Sequence, residues 1–171
     1  AEPILIGAEE GIRDLAERES IALDGIEILD EADPQAAAHL GVHLVRTGQA
    51  DAIMKGLVKT SLILKAVLNK ETGIRSNKLL SHIAVFNIPQ LGRSLMISDA
   101  ALCIAPNLAE KRNIIQNAVE AMHLLGYERP KVACLCAVES VNPAMPATVD
   151  AAELVRLNRS GEIGGCDVGG P

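Results

Sequence analysis

Three short apolar runs, each followed by a stretch of helical periodicity, constrain the fold of this chain more than any other feature. ILIG at residues 4–7 leads into an acidic stretch where Ile12, Leu15 and Ala16 recur at helical spacing. IEIL at 26–29 leads into an Ala-rich stretch that opens on Asp33-Pro34 and closes near Gly48, with Asp33 placed as a cap. DAIM at 51–54 supplies a third strand, followed by an apolar helix to about Lys70 with Thr60 or Ser61 as its cap. Successive strand–helix units need crossovers, so the spacing predicts an α/β fold, a mostly parallel sheet covered by helices.

The rhythm then changes. HIAVFNI at 82–88 and SLMIS at 94–98 flank a short Pro- and Gly-containing connection and read as an antiparallel hairpin. A long helix is expected from about Leu108 to Leu125, ended by Gly126, and Pro130 precedes a buried strand, KVACLCAV. A polar, Pro-interrupted loop, a helix from about Thr148 to Asn158 and the Gly-rich CDVGGP complete the pattern. The expected division is a first α/β lobe over 1–126 and the start of a second over 127–171.

Composition narrows the functional classes. Hydrophobic residues make up 49% of the chain but aromatics only 1%, Tyr127 and Phe86, so the core must be aliphatic. Single-stranded nucleic-acid binding, which relies on aromatic stacking platforms, is disfavoured. No apolar run approaches the roughly 20 residues that cross a bilayer, and AEPILIG lacks the layout of a secretory signal; the expected location is the cytoplasm. Cys103, Cys134, Cys136 and Cys166 have no metal-site spacing, and Cys134 and Cys136 are expected to share one face of a strand as buried, reduced thiols. His39 and His43 lie one helical turn apart, but without carboxylate or thiolate partners they read as an amphipathic surface rather than a metal site.

The net charge of −6 is unevenly spread. Residues 1–50 carry −8 and residues 113–171 carry −3, whereas residues 51–112 carry +5. A basic middle in an acidic chain is either a set of solvated helix faces or an anion site.

Four segments bear on that choice. MKGLVKTS at 54–61 passes from a strand end through Gly56 into a helix, with Lys55, Lys59, Thr60 and Ser61 around the junction. Such a junction offers free backbone N–H groups and a positive helix end to an anion, although ordinary capping with surface lysines is an equal reading, and the Walker A spacing is missing. NKETGIRSNKLLSH at 69–82 holds Lys70, Arg75, Lys78, Ser81 and His82. Arg75 suits bidentate phosphate binding, while a lone His82 at a strand start serves structure more often than catalysis. SDAALCIAPNLAEK at 98–111 places Asp99 just after a strand, where ligands of open α/β sheets collect and where turn caps are also common. AVESVNPAMPATVD at 137–150 presents Glu139, Ser140 and Asn142 on a proline-stiffened loop, either a ligand clamp or a connector.

Taken in order, MKGLVKTS, KETGIRSNKLLSH, SDAALCIAPNLAEK and AVESVNPAMPAT resemble the phosphate acetyl/butyryltransferase family, its phosphate butyryltransferase branch most closely. The resemblance implies an isocitrate-dehydrogenase-like fold of two lobes with the active site in the cleft between them. It implies transfer of a short acyl group between coenzyme A and inorganic phosphate, with coenzyme A as substrate, no tightly bound cofactor and at least a dimer. By the same resemblance the coenzyme A thiolate attacks the acyl phosphate carbonyl directly, an acidic residue helps the thiol, and no cysteine nucleophile is needed. Asp99 is then the candidate catalytic residue, with Lys55, Gly56, Lys59, Thr60, Ser61, Lys65, Arg75, Ser81 and Asn142 as candidate substrate and phosphate ligands. Lys65 stands where relatives commonly carry arginine, so charge is kept and the fork geometry lost. Asn107 stands where an acidic residue is frequent. Relatives continue further and place a catalytic Ser-Arg and Asp beyond this chain, which is therefore expected to be a fragment with weak or no activity alone. The competing readings are a non-catalytic coenzyme A or nucleotide-binding module and another acyl-phosphate-forming enzyme of the same fold. A dehydrogenase would want a G-x-G-x-x-G after a strand, and none occurs.

Overall fold

In the computed structural model, residues 2–76 and 78–171 are described, residue 91 by its backbone only. Asn77, within the second polar segment, lies outside the described residues. The backbone separates into two compact units, Ala1–Asn77 and Lys78–Pro171.

In the first unit β1 (Ile4–Gly7) pairs in parallel with β2 (Glu27–Asp30), Ile4 opposite Glu27 and Gly7 opposite Asp30, with α1 (Glu9–Arg18) as the crossover. The Glu9 N–H at the start of α1 donates to Asp30 Oδ1 at 2.9 Å, so the end of β2 serves the helix that connects to it. α2 (Pro34–Arg46) begins as the sequence predicts, with Pro34 in its first turn and the Asp33 carboxylate accepting from Ala36 N at 2.7 Å. Its Ala38 and Val42 are buried with Ala66 of α3 (Thr60–Val67), and Ile53, Leu62, Ile63 and Val67 pack around them.

The expected third strand is absent, because residues 51–54 have no regular structure and no ladder partner. A strand needs alternate burial and a paired backbone. Here Ile53 alone joins the core between α2 and α3, while Met54 is 96% exposed. Thr60 and Ser61 are not caps either. The cap position falls on Lys59, extended at φ −58 and ψ 132, and both hydroxyl residues sit inside the first turn of α3.

The second unit opens with the antiparallel pair β3 (Ala84–Ile88) and β4 (Arg93–Ile97), joined by a 3₁₀ turn at Pro89–Leu91 and by Gly92 at φ +60, as the hairpin pattern predicts. α4 (Leu108–Leu124) follows, then β5 (Lys131–Ala133), α5 (Pro146–Arg159) and β6 (Asp167–Gly169), with β5 and β6 parallel. The core of this unit joins Ile115 and Val119 of α4, Leu154 and Leu157 of α5, and Ile163, Cys166 and Val168. The core of this unit includes α4, so the division between the two compact units comes ahead of that helix.

The strand expected through 138 stops at Ala133. β6 offers one further acceptor, Gly169 O, to the Cys134 amide at 2.8 Å, and the ladder ends there. Cys134 packs against the core, Leu135 is 90% exposed, and the Cys136 thiol turns to Ala147 O at 3.4 Å. The two thiols therefore do not share a strand face. Among the described residues, two parallel pairs, one antiparallel hairpin and five α-helices establish the α/β class.

Candidate functional site

In the first unit the candidate ligands are arranged along α3. Lys59, Thr60, Ser61 and Lys65 are all exposed, and the amino end of the helix has no side-chain cap. Thr60 and Ser61 thus keep free N–H groups and free hydroxyls at the positive end of a helix dipole. Ser61 and Lys65, four residues apart, share one face. The opposite face carries Ala66, fully buried, so packing fixes which way the polar residues turn.

Lys55 is already engaged: its ammonium donates to Gly56 O at 2.9 Å and Val58 O at 3.1 Å, tying the loop to itself. A Cβ at Gly56 would meet nothing within 4 Å, so no close approach within the chain demands glycine there. Gly73 is the opposite case. A Cβ at that position would come within 2.5 Å of Asn69 O and 2.9 Å of Ala66 O, and closer still to Val67 O. The absence of a side chain lets the 69–76 loop fold over the carboxyl end of α3, where Ile74 N donates to Val67 O at 3.1 Å. Asn69 Oδ1 accepts from the amides of Glu71 and Thr72, both at 2.9 Å, and Arg46 Nη1 donates to Glu71 O at 2.7 Å. Arg75 leaves this braced loop exposed and without an ion pair among the described residues. The base of its loop lies at the far end of α3 from Thr60, about 12 Å along an eight-residue helix.

In the second unit the candidates sit in a dense network. Asp99 Oδ2 accepts from His82 N, and Oδ1 accepts from Ala101 N and Leu102 N, all at 2.8 Å. Burial alone would raise the Asp99 pKa, but the amides of Leu102, Ala101 and His82, with the Cys103 thiol, outweigh it and hold the carboxyl well below the usual carboxylate range. Such a carboxylate is a weak proton acceptor at neutral pH and a strong anchor for two chain segments. Burial first, then the neighbouring Asp99, pushes the Cys103 thiol up, so it stays a protonated donor. Ser98 Oγ completes the tie by donating to His82 O at 2.8 Å. His82 Nδ1 is buried without a hydrogen-bond partner.

Ser81 lies just before this clasp, half-buried, and its Oγ accepts from Asn117 Nδ2 of α4 at 2.8 Å. Asn142 braces its own loop. Its Oδ1 accepts from Ala144 N at 3.0 Å, and its backbone exchanges bonds with Thr148 Oγ1, a hydroxyl that is completely buried. Asn107 caps α4 reciprocally with Glu110, at 3.0 and 2.8 Å, a position that takes Asn as well as Asp. The residues the sequence did not flag are Asn69, Gly73, Asn117 and Thr148, each of which holds or makes room for backbone. The one signal available was Asn117 itself, a poor helix former in the middle of a long helix. Among the described residues no group of three His, Cys, Asp or Glu side chains is placed to hold a metal ion, and no helix is long and apolar enough to cross a membrane. Burial pushes up the thiols of Cys134 and Cys166, which keeps them protonated.

Comparison with known proteins brings these observations together. A family model described as phosphate acetyl/butaryl transferase matches residues 34–171, which include all four polar segments. Over its 171 residues the chain is 44% identical to a phosphate butyryltransferase of Clostridium acetobutylicum, covering 57% of that protein. It is 39% identical over 170 residues to a phosphate acetyltransferase of Thermotoga maritima, covering 58% of it. Among solved structures, a branched-chain phosphotransacylase from Enterococcus faecalis superposes with a TM-score of 0.79 at 29% identity, over 99% of this chain and 68% of that one. The chain thus spans less than three fifths of the length of these two curated relatives.

Proposed function

The chain belongs to the phosphate acetyl/butaryl transferase family, and from that membership we propose that the protein it belongs to moves a short acyl group between coenzyme A and inorganic phosphate. The observation that carries the proposal is the uncapped amino end of α3. Unspent N–H groups, two hydroxyls and the ammonium groups of Lys59 and Lys65 offer donors and positive charge, which suits a phosphoryl group. Inorganic phosphate, acyl phosphate and coenzyme A are all strongly anionic, which accounts for the basic middle of an acidic chain.

On this reading the thiolate of coenzyme A attacks the carbonyl carbon of the acyl phosphate. The C–O bond to phosphate breaks, and inorganic phosphate leaves with the electron pair. The contribution of this chain is to hold phosphate oxygens and stabilise the charge they carry as the bond breaks. Arg75, on its braced loop, and Ser61 with Lys65 on one helix face act in that capacity. We assign Asp99 a positioning role, since three amides already occupy its oxygens. Coenzyme A is a substrate in this scheme rather than a resident cofactor. The two-lobed organisation with a boundary near Gly126, assembly into a dimer or larger oligomer, and a cytoplasmic location complete the proposal. The whole enzyme, given butyryl-CoA or acetyl-CoA, should release coenzyme A in proportion to added phosphate and form an acyl phosphate that hydroxylamine traps. Phosphate-independent release, or none, would overturn the reading.

A further inference from the structure

We propose that Asn117 is a positioning residue which forces Ser81 to act as a hydrogen-bond donor toward an anionic oxygen of a substrate phosphoryl group. The inference rests on the acyl-transfer reading and gives one hydroxyl a direction. Asn117 Nδ2 lies 2.8 Å from Leu79 O and 2.8 Å from Ser81 Oγ. A backbone carbonyl only accepts, so the atom facing Leu79 must be the amide nitrogen. That nitrogen has two protons and no capacity to accept. Ser81 Oγ must therefore be the acceptor in its bond with Asn117, and the hydroxyl proton has to point elsewhere. Among the described residues it finds no acceptor.

The surrounding segment cannot turn to relieve this. His82 N is held by Asp99 Oδ2 and His82 O by Ser98 Oγ, both at 2.8 Å. On the other side, Lys78 Nζ donates to both carboxylate oxygens of Glu120 at 2.7 and 2.8 Å. Glu120 lies three residues beyond Asn117, on the same face of α4. Ser81 is half-buried, in a fixed frame, with one unspent donor. A ligand atom that only accepts, such as a phosphoryl oxygen, suits that donor.

The test uses the whole enzyme, with phosphate and acyl-CoA varied separately. Asn117→Asp keeps the shape but replaces the donor by an acceptor that captures the Ser81 proton. Its KM for phosphate or for acyl-CoA should rise about tenfold, as in Ser81→Ala, with kcat changed far less. The KM that moves tells whether the oxygen belongs to the transferred phosphate or to coenzyme A. In a Ser81→Ala background Asn117→Asp should add less than about twofold, because the residue it acts through is gone. Asn117→Leu, which removes the orienting bond without capturing the proton, should give a smaller KM rise, and it serves if the Asp variant fails to fold. Unchanged KM values with a lowered melting temperature would show a merely structural asparagine, and full additivity with Ser81→Ala would equally overturn the inference. If the unaltered enzyme shows no phosphate-dependent turnover, the acyl-transfer reading itself fails, and the inference falls with it.

Discussion

The amino end of α3 and the segment running from Leu79 to His82 use the same polar vocabulary, yet their hydrogen bonds are deployed in opposite ways. At α3 the donors outnumber the acceptors: Lys59 caps nothing, and Thr60 and Ser61 keep their protons. Around Ser81 and His82 donors and acceptors are matched within the chain: Asp99 Oδ2 accepts from His82 N, Ser98 Oγ donates to His82 O, and Asn117 Nδ2 donates to Ser81 Oγ. The first region is built to be completed by something that accepts. The second is a frame tied within the chain that leaves over the Ser81 proton and the buried His82 Nδ1. Residue type alone does not separate the two cases. The location of the acceptors does.

The contrast can be broken most directly at the frame. Asp99→Ala strips three amides of one carboxylate and should cost about 4 kcal/mol, measured by denaturant unfolding. Its pH dependence has a definite sign. A carboxyl held below its ordinary value of 3.8 stabilises the fold fully above that value and loses its effect as protons reach it. The deficit of Asp99→Ala should therefore be constant from neutral pH down to about 4 and close in stronger acid. A deficit that varies between pH 8 and 5 would contradict the assignment.

Gly73→Ala comes next, at about 2–3 kcal/mol, because the added methyl overlaps three carbonyl oxygens at the end of α3. It should also raise KM by shifting the loop that carries Arg75, whereas Gly56→Ala, where a Cβ meets nothing, should change stability little. Equal effects at the two glycines would show that the braced loop is no more constrained than the open one. Smaller still is Lys111→Ala, which breaks a half-buried pair with Asp150 at 2.6 Å and should lower stability by about 1 kcal/mol without altering KM.

The sequence carried the local features well. Asp33 caps α2, Gly92 turns the hairpin, and α4 ends at Gly126, because each depends on residues within a few positions. It misled at 51–54, where an apolar run stayed irregular once Ile53 found a place between two helices. Whether a run pairs as a strand depends on partners distant in the chain, which periodicity does not record. The candidate site divides the same way. Lys59, Thr60, Ser61 and Arg75 stand out by type and remain available to a ligand, whereas Asn142 stands out equally but lends its Oδ1 to Ala144 N while Thr148 ties its backbone. Asn117, 36 residues from Ser81, could be connected to it only by the fold.

One substitution tests the open end of α3 most directly. Lys59→Asp in the whole enzyme supplies the missing cap, which should stabilise the protein by about 1 kcal/mol, and sets a negative charge where a phosphoryl group is proposed to bind. A raised melting temperature together with at least a tenfold rise in KM for phosphate or acyl-CoA is the expected result. A raised melting temperature with both KM values unchanged would contradict it, and the uncapped helix end would then have no part in holding substrate.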